Sequence, residues 1–454
     1  MNELTGRKIM KKELPENINL SEALHFPAML VEREQACCQR CGSVHPVAAV
    51  EMAPHHYYCP ACLQLGRVDS KEVFYHRPEN QGPAREVVFE WSGELTAGQQ
   101  TVSDWLQKIA VEKRKGMIWA VTGAGKTEML FETVHALLSR GARIGLASPR
   151  VDVCLELYPR LKAVFPKEDI MLLHGEAEAP YRYTPFVLCT THQLLRFYQA
   201  FDLLIIDEVD AFPYVNEPVL QYAAEQAVKR TSALIYLTAT PTKQLLGQVD
   251  KKILEMIVLP ARYHRRKLPI PQLKSCFRWR KQLEEKRLPK ELVDCIKSLM
   301  EKNNVLLFCP SIVVLNKIYQ LIVAQLPNIS AASVHSKDEK RSEKVLQMRE
   351  KKFRLFLTTT ILERGVTFEQ VSVIVIGSEH SVFSESVLVQ IAGRVDRKKD
   401  FTSGEVWFLH DGKTKPMRQA VKQIKKMNAL AEKRGLVDEL CLLSTANNQS
   451  SINQ

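Results

Sequence analysis

The chain has 454 residues, 45% of them hydrophobic and 25% charged, and its formal net charge is +12. This is ordinary globular composition, with enough residues for two to four domains. No apolar run approaches the ~18–20 residues that span a bilayer, and the charged N-terminus lacks the apolar segment of a signal peptide, which argues against a membrane-spanning or secreted protein. The positive excess favours a polyanionic partner over a generic basic surface.

The N-terminal region is the part of the chain with closely spaced cysteines. Eleven cysteines in a long, apparently cytosolic chain indicate metal binding or buried thiols rather than disulfides. Residues 1–36 are predicted to form an arm. The next segment, 37–90, is predicted to be a small module with following strands, because it holds two Cys-x-x-Cys pairs separated by 17 residues, a spacing typical of a closed structural zinc site. The predicted zinc ligands are Cys38, Cys41, Cys59 and Cys62.

Other ligand sets stay open at this stage. Cys37 could replace Cys38, although the Cys-x-x-Cys spacing favours Cys38. His55 and His56 are nearby alternatives. The four cysteines could also be buried thiols without a metal.

Residues 91–255 alternate apolar runs with helical stretches, which predicts a buried parallel sheet. The predicted strands are 117–121, 143–147, 186–190, 202–206 and 234–238. A glycine-rich turn follows the first of these, and its backbone N–H groups would face phosphates. The residues predicted to bind nucleotide there are Thr122, Gly123, Ala124, Gly125, Lys126 and Thr127. Ala120 stands where the strict phosphate-loop pattern has glycine.

A pair of carboxylates ends the strand predicted at 202–206. Lys126 would reach the β- and γ-phosphates, while Thr127 and Asp207 would hold Mg²⁺. Glu208 could polarise the attacking water. The glycine-rich turn and the carboxylate pair together predict hydrolysis of a nucleoside triphosphate.

A second alternating block, 290–412, follows a basic, proline-interrupted linker at 256–289. Its predicted strands lie near 304–309, 331–335, 354–359, 372–377 and 405–409. Two successive blocks predict two parallel-sheet domains with a cleft between them. Residues 413–454 are predicted to form a basic helix and a polar tail, and whether this helix contacts DNA or only solvent stays open.

Two arginines near residue 395 are candidate groups for charge stabilisation. Arg394 and Arg397 are three residues apart and therefore share one face of a helix. A planar, permanently charged guanidinium suits the charge that develops on a transferred phosphoryl group. We expect both side chains to reach the nucleotide from the second domain.

The ordered set of motifs resembles superfamily 2 helicases and translocases over roughly residues 91–412. The resemblance implies an α/β fold with two tandem RecA-like domains. It implies that Gln99 recognises adenine and that Thr238, Thr240 and Gln390 couple the ATP site to the strand path. The residues that it implies for DNA contact are Arg150, Thr191, His192, Thr359 and Arg364.

A four-cysteine unit ahead of such a motor resembles the late-competence DNA-uptake ATPases of Gram-positive bacteria, the ComFA family. This resemblance implies a motor that uses Mg²⁺ with ATP, carries structural Zn²⁺ and pulls single-stranded DNA through a membrane channel during transformation. It also implies a place at the inner face of the cell membrane and three partners: a ComEC-type channel, a ComFC-like protein and a DprA-like protein.

Two other functions stay open from the sequence. One is an unwinding helicase, for replication restart or repair or for RNA. The other is a zinc-dependent DNA-binding adaptor without ATPase activity, against which the intact residues Lys126, Asp207, Glu208, Arg394 and Arg397 argue.

Overall fold

A computed structural model of the chain describes residues 2–14, 18–175, 180–362, 368–396 and 403–438. The chain divides into two compact units. The first consists of Met1–Leu95, Gln99–Trp119 and Lys126–Val258. The second consists of Thr96–Gly98, Ala120–Gly125 and Leu259–Gln454. Within the described ranges, no helix combines the length and the apolar character that a bilayer crossing requires.

The N-terminal region is built from short strands. Its strands are β1 (Ile9–Met10), β2 (Leu24–Pro27), β3 (Met29–Glu32), β4 (Gln35–Cys38), β5 (Val44–Pro46), β6 (Glu51–Ala53), β7 (His56–Tyr57) and β8 (Val73–His76), with one short helix, α1 (Val47–Val50). They form the antiparallel sheets β1-β8-β2, β3-β4-β5 and β6-β7.

The segment expected to be an arm is partly integrated into this region. Ile9 and Met10 lie opposite Tyr75 and Phe74 of β8, and both are buried. Lys8 is only 2% exposed. The reason is a long-range contact, because the two apolar residues of β1 leave water only when they pair with β8.

A seven-stranded sheet forms the core of the first unit. Its strands are β9 (Lys115–Ala120), β10 (Ile144–Ser148), β11 (Ile170–Leu173), β12 (Phe186–Thr190), β13 (Phe201–Ile206), β14 (Val228–Thr238) and β15 (Glu255–Leu259). The order is β11-β12-β10-β13-β14-β9-β15, and the first six of these are mutually parallel. The accompanying helices are α2 (Ala97–Val111), α3 (Phe131–Ser139), α4 (Val151–Val164), α5 (Pro218–Ala227) and α6 (Lys243–Asp250).

A six-stranded parallel sheet forms the core of the second unit. Its strands are β16 (Gln272–Ser275), β17 (Asn304–Phe308), β18 (Ala331–Val334), β19 (Leu355–Thr358), β20 (Val371–Ile376) and β21 (Val406–His410), in the order β16-β21-β20-β17-β19-β18. The helices are α7 (Trp279–Glu284), α8 (Lys290–Met300), α9 (Ile312–Gln325), α10 (Arg341–Arg349), α11 (Glu385–Ala392) and α12 (Lys415–Lys433).

All ten strands predicted for the two blocks are present, and the prediction of two parallel α/β sheets is confirmed. Three strands were missed, namely β11, β15 and β16. β16 lies wholly and β15 partly within the predicted linker 256–289. The basic residues and prolines of this segment do not give the pattern of a strand. Helix α12 matches the predicted basic helix, and its buried face includes Met417, Ile424 and Met427.

A buried arginine joins the N-terminal region to the first parallel sheet. Arg143 lies just before β10 and is 1% exposed. Its guanidinium pairs with Glu79 (2.9 Å) and donates hydrogen bonds to the carbonyls of Thr5 and Thr184 (both 3.1 Å). It also donates to the hydroxyl of Tyr181 (2.7 Å). One side chain therefore satisfies groups from three separate parts of the first unit.

Direct packing is a second connection between the N-terminal region and the first parallel sheet. Gly42, which follows the second cysteine of the first pair, adopts φ +71°, and a Cβ there would lie 2.6 Å from the ring of Tyr222 on α5. A side chain at this position would therefore force the cysteine turn away from the helix. The four cysteines belong to the same buried apolar cluster as Leu220 and Ala223 of α5. The small module and the first parallel sheet share one core.

Replacement of Arg143 by leucine should destabilise the first unit by about 3–5 kcal/mol, because it leaves the Glu79 carboxylate buried without its partner. The measurement is the free energy of unfolding of the full chain in urea, followed by tryptophan fluorescence.

The matched control is Arg182→Leu. Arg182 pairs with Asp169 at the surface, where both side chains are about half exposed, so its loss should cost less than about 1 kcal/mol. Equal effects of the two substitutions would contradict a special role for Arg143.

Candidate functional site

The carboxyl ends of the first sheet's parallel strands bring together the predicted catalytic groups of that unit. Asp207 and Glu208 directly follow β13, and Lys126 lies in the turn after β9. Lys126 Nζ lies 3.7 Å from Asp207 Oδ1. The backbone N–H of Asp207 donates to the carbonyl of Ala147 at the end of β10 (2.8 Å), which fixes this carboxylate relative to the sheet edge.

Glu208 occupies a strained backbone position. Its φ is +54°, a left-handed conformation that costs a non-glycine residue on the order of 1 kcal/mol or more. Its backbone N–H donates to Asp207 Oδ1 (2.8 Å). This hydrogen bond helps to orient the Asp207 carboxylate.

The glycine-rich turn has the backbone that its sequence predicts. Gly123 and Gly125 adopt φ +77° and +72°, which other residues rarely adopt. Thr127 precedes a 3₁₀ turn at Glu128–Leu130 that continues into α3. The backbone N–H groups of the glycine-rich turn and the start of this helical segment form the kind of structure that binds phosphate. Gln99, in the first turn of α2, is buried, and so are Thr122 and Ala124 of the glycine-rich turn.

A buried network connects the second aspartate of the Asp-Glu-Val-Asp segment to the end of β14. Asp210 accepts hydrogen bonds from the hydroxyls of Thr238 (2.7 Å) and Thr240 (2.5 Å). The Thr238 hydroxyl in turn accepts from the backbone N–H of Thr240 (2.9 Å). Thr238 and Thr240 were predicted as coupling residues. Asp210 was missed as their partner, although its place three residues after Asp207 was a usable signal.

The predicted strand contacts of the first unit follow the neighbouring strands β10 and β12. Arg150 is the residue before α4 and is half-buried. Thr191 is fully buried and begins a 3₁₀ turn at Thr191–Arg196. The next residue, His192, is partly exposed, with Nε2 4.0 Å from Glu217. Arg150 and His192 therefore offer side-chain surface at this edge, whereas Thr191 does not.

In the second unit, Gln390 and Arg394 are both buried, at 4% and 1% exposure. Thr359 is half-buried after β19. A Cβ on Gly393 would lie 2.0 Å from the hydroxyl of Thr122, which belongs to the same unit, so only glycine fits there. Arg364 and Arg397 lie outside the described residues.

Two residues of the predicted linker hold the segment that contains Arg394. Arg262 donates through one guanidinium nitrogen to the carbonyls of Val395 (2.8 Å) and Asp396 (2.7 Å). His264 Nε2 donates to the same Asp396 carbonyl (2.9 Å). Both residues are buried and were missed by sequence reasoning, because a basic linker is expected to be solvated. They fix the backbone that follows α11.

The four predicted zinc ligands meet in one cluster. Their sulfur atoms all lie within 4.8 Å of one another, with Cys38 and Cys62 3.7 Å apart and Cys41 and Cys59 3.5 Å apart. Four thiolates at ~2.3 Å from a tetrahedral ion would be about 3.8 Å apart, so the cluster could hold a metal ion.

The alternative ligands lie elsewhere. Cys37 is outside the group, and His56 pairs with Asp69 (3.2 Å). The imidazole near the cluster is that of His45, with Nε2 3.7 Å from Cys59 Sγ. His45 is thus a neighbour of a complete set of four sulfurs.

Lowering the pH should destabilise the second unit through His264. Burial, followed by the charge of Arg262, lowers the pKa of His264 to about 4 from its usual 6.5. The unfolded chain then binds more protons than the native state between pH 6.5 and 4, so stability is complete above pH 6.5 and falls toward pH 4. The loss attributable to this group is at most about 3 kcal/mol.

The check is urea unfolding of the wild type and His264→Gln at several pH values. Glutamine keeps an N–H donor for the Asp396 carbonyl but does not titrate. The difference in unfolding free energy between the two proteins should therefore change between pH 6.5 and 4. A difference that stays constant over this range would contradict the assignment.

Comparisons with known proteins identify the kinds of domain that the chain contains. Residues 94–243 match the family model of the type III restriction enzyme res subunit, and residues 287–399 match the helicase conserved C-terminal domain. Among solved structures, S. cerevisiae Dbp5 bound to RNA and ADP BeF3 is similar with a TM-score of 0.52 and 14% identity, over 73% of this chain and 91% of that one. This likeness confirms the predicted fold of two tandem RecA-like domains.

Two relatives are similar over nearly the whole chain. The competence protein ComFA of Bacillus subtilis is 41% identical over 408 residues, which is 89% of this chain and 88% of the relative. The competence protein ComFA of Streptococcus pneumoniae is 41% identical over 435 residues, or 93% and 97% of the two chains. The chain therefore belongs to the ComFA family of competence proteins and is a helicase-type enzyme of superfamily 2.

Proposed function

We propose that this protein is an ATP-dependent single-stranded DNA translocase that drives the uptake of transforming DNA in competence. The observation that carries the proposal is the pairing of Lys126 with Asp207 at the carboxyl edge of the first sheet, next to the Asp210 network. The competence role is supported by the two ComFA relatives.

The proposed chemistry assigns each group a separate task. The turn Thr122–Thr127 binds the phosphates through its N–H groups, with Lys126 on the β- and γ-phosphates. The hydroxyl of Thr127 and the carboxylate of Asp207 are oxygen ligands that suit Mg²⁺. The ion, when bound, would neutralise charge on the phosphates. Glu208 orients the attacking water. Arg394 and Arg397 stabilise the charge on the transferred phosphoryl group, and Gln99 recognises adenine.

Coupling to DNA is proposed to run through the hydroxyls held by Asp210. A change at Asp207 or Glu208 on ATP turnover would be transmitted along the chain to Asp210, which binds Thr238 and Thr240. Gln390 has the corresponding coupling task in the second domain. The side-chain contacts with the strand are proposed at Arg150, His192, Thr359 and Arg364. Thr191, which was also named from the sequence, is buried and begins the turn that carries His192.

The cysteine cluster is proposed to bind Zn²⁺ in a structural role. Four buried thiolates close the coordination sphere and leave no position for a substrate. The ComFA membership supports a place at the cytoplasmic face of the cell membrane. It also supports a ComEC-type channel, a ComFC-like protein and a DprA-like protein as partners.

The test of the proposed reaction is steady-state ATP hydrolysis with no nucleic acid, single-stranded DNA, duplex DNA or RNA, each at two salt concentrations. Single-stranded DNA should stimulate turnover most. Lys126→Ala should lower turnover at least roughly 100-fold, the cost of losing a preorganised charge-stabilising donor. Lys108→Ala, an exposed lysine on α2, is the control and should retain activity.

Each other outcome identifies a different function. Stimulation by RNA to an equal or greater degree would indicate an RNA helicase, and displacement of a fork duplex would indicate an unwinding helicase. Wild-type protein that hydrolyses no ATP in any of these conditions would favour the DNA-binding adaptor.

Zinc binding is tested by the metal content of cysteine variants. Cys59→Ser and Cys62→Ser should each reduce bound zinc from about one ion per chain toward zero, because a tetrahedral site loses a ligand. Elemental analysis of the purified protein measures this. Cys37→Ser is the matched control, since Cys37 lies beside the cluster without belonging to it. Full zinc content in Cys59→Ser and Cys62→Ser would refute this ligand set.

A further inference from the structure

Two adjoining cavities lie between the N-terminal region and the first parallel sheet. Their volumes are about 230 and 270 Å³, and both are lined by Arg7, Leu65 and Arg196. The first is also lined by Lys8 and Arg40, and the second by His174 and Gln193. We call the two together the Arg7 cleft. All of these residues belong to the first unit.

Arg7 is a buried cation that faces this cleft without a carboxylate partner. It is 9% exposed, and its guanidinium lies 3.8 Å from the centre of the Tyr181 ring. One nitrogen donates to the Glu3 carbonyl (3.3 Å), while Nε has no hydrogen-bond acceptor. No carboxylate among the described residues lies within ion-pair distance of it. Burying a charge in this way is costly unless an anion compensates it.

The remaining charges of the cleft leave a positive excess. Arg40 is paired with Glu13 (2.8 Å), and Lys8 donates to the carbonyls of Gln39 (2.8 Å) and Arg40 (3.1 Å). Glu3 lines the first cavity, and Arg196 is exposed beside both. Burial lowers the pKa of Arg7 to about 10; the charge of Arg196 acts in the same direction, while Tyr181, Glu3 and Glu13 oppose it. Arg7 therefore stays charged at neutral pH.

The cleft adjoins the turn that begins at the proposed DNA contacts of the first unit. Arg196 ends the same 3₁₀ turn that begins with Thr191 and His192. The N-terminal segment lies along the end of this turn, because the N–H of Lys8 donates to the Arg196 carbonyl (3.2 Å) and the N–H of Tyr198 donates to the Gly6 carbonyl (2.9 Å). A turn of six residues rises about 12 Å, a length comparable to roughly three or four nucleotides at B-form spacing.

We propose that Arg7 and Arg196 bind a backbone phosphate of single-stranded DNA in this cleft, so that the N-terminal region extends the strand path of the first RecA-like domain. The inference rests on the proposed function, since it requires a strand at the Thr191–His192 edge. Arg196 supplies an accessible guanidinium, and Arg7 supplies a fixed one that Tyr181 holds in place. A guanidinium pair of this kind suits phosphate oxygens but reads no bases.

The experiment measures single-stranded DNA binding by full-length protein, using fluorescence anisotropy over a range of salt concentrations. Arg196→Ala should weaken binding about three- to tenfold and reduce the salt slope by about 0.7, the value for one phosphate contact on a single strand. Arg7→Gln should act in the same direction. Arg140→Ala is the matched control, because Arg140 is an exposed arginine that lines neither cavity and its loss should leave DNA binding at the wild-type level.

Four further measurements separate the possible failures. Arg7→Lys keeps the charge and should recover part of the affinity that Arg7→Gln loses. ATP hydrolysis without DNA and the zinc content should be unchanged in Arg196→Ala, which shows that the variant is folded. Oligonucleotides of increasing length should show the loss only when they are long enough to reach the cleft from the Thr191–His192 edge.

Unchanged affinity and salt slope in Arg196→Ala, with a wild type that binds single-stranded DNA, would overturn the inference alone. A wild type that neither binds single-stranded DNA nor is stimulated by it would instead overturn the proposed function. Inorganic phosphate is the remaining probe: if Arg196→Ala weakens binding of phosphate but not of DNA, the cleft takes a free anion and the inference is wrong.

Discussion

The parallel register of the first sheet is the constraint on which the candidate site depends. Residues of β10 lie opposite those of β12 and β13 in continuous register, from Ile144 to Ser148 on the β12 side and from Ile144 to Ala147 on the β13 side. Because all these strands run in one direction, their carboxyl ends meet at a single edge. A shift of β13 by one residue would turn the side chain of Asp207 to the other face of the sheet and away from Lys126.

The opposite edge of that sheet has a structural task. Arg143, at the amino end of β10, binds Thr5 and Glu79 of the N-terminal region. From Thr5 the chain follows the loop between β12 and β13 as far as Lys8, which contacts Arg196. The N-terminal residues thus connect the amino edge of the sheet to the segment that follows the predicted strand contacts. Arg143 therefore also holds the segment that leads to Arg7, through its hydrogen bond to the Thr5 carbonyl.

The linker likewise contributes structure. It supplies much of β15, at one edge of the first sheet, and all of β16, at one edge of the second. Between these strands, Arg262 and His264 bind the carbonyls that follow α11. The position of the Arg394 segment is therefore set by residues more than 100 positions earlier in the chain. Each of these hydrogen bonds is accepted by a backbone carbonyl. Because every residue has one, no particular residue type in the sequence marks the acceptor.

The sequence by itself determined the order of the strands along the chain, the glycine-rich turn, the carboxylate pair and the four cysteines, because each depends on local periodicity or on a short spacing. Only the tertiary structure decided which distant groups meet: Asp210 with Thr238 and Thr240, Arg143 with Glu79, and Arg7 with Tyr181. Residues 1–36 and 256–289 were the least predictable, since their short strands exist only where a longer strand provides an edge. The buried arginines were also missed, because a guanidinium is expected at the surface until its partners are known.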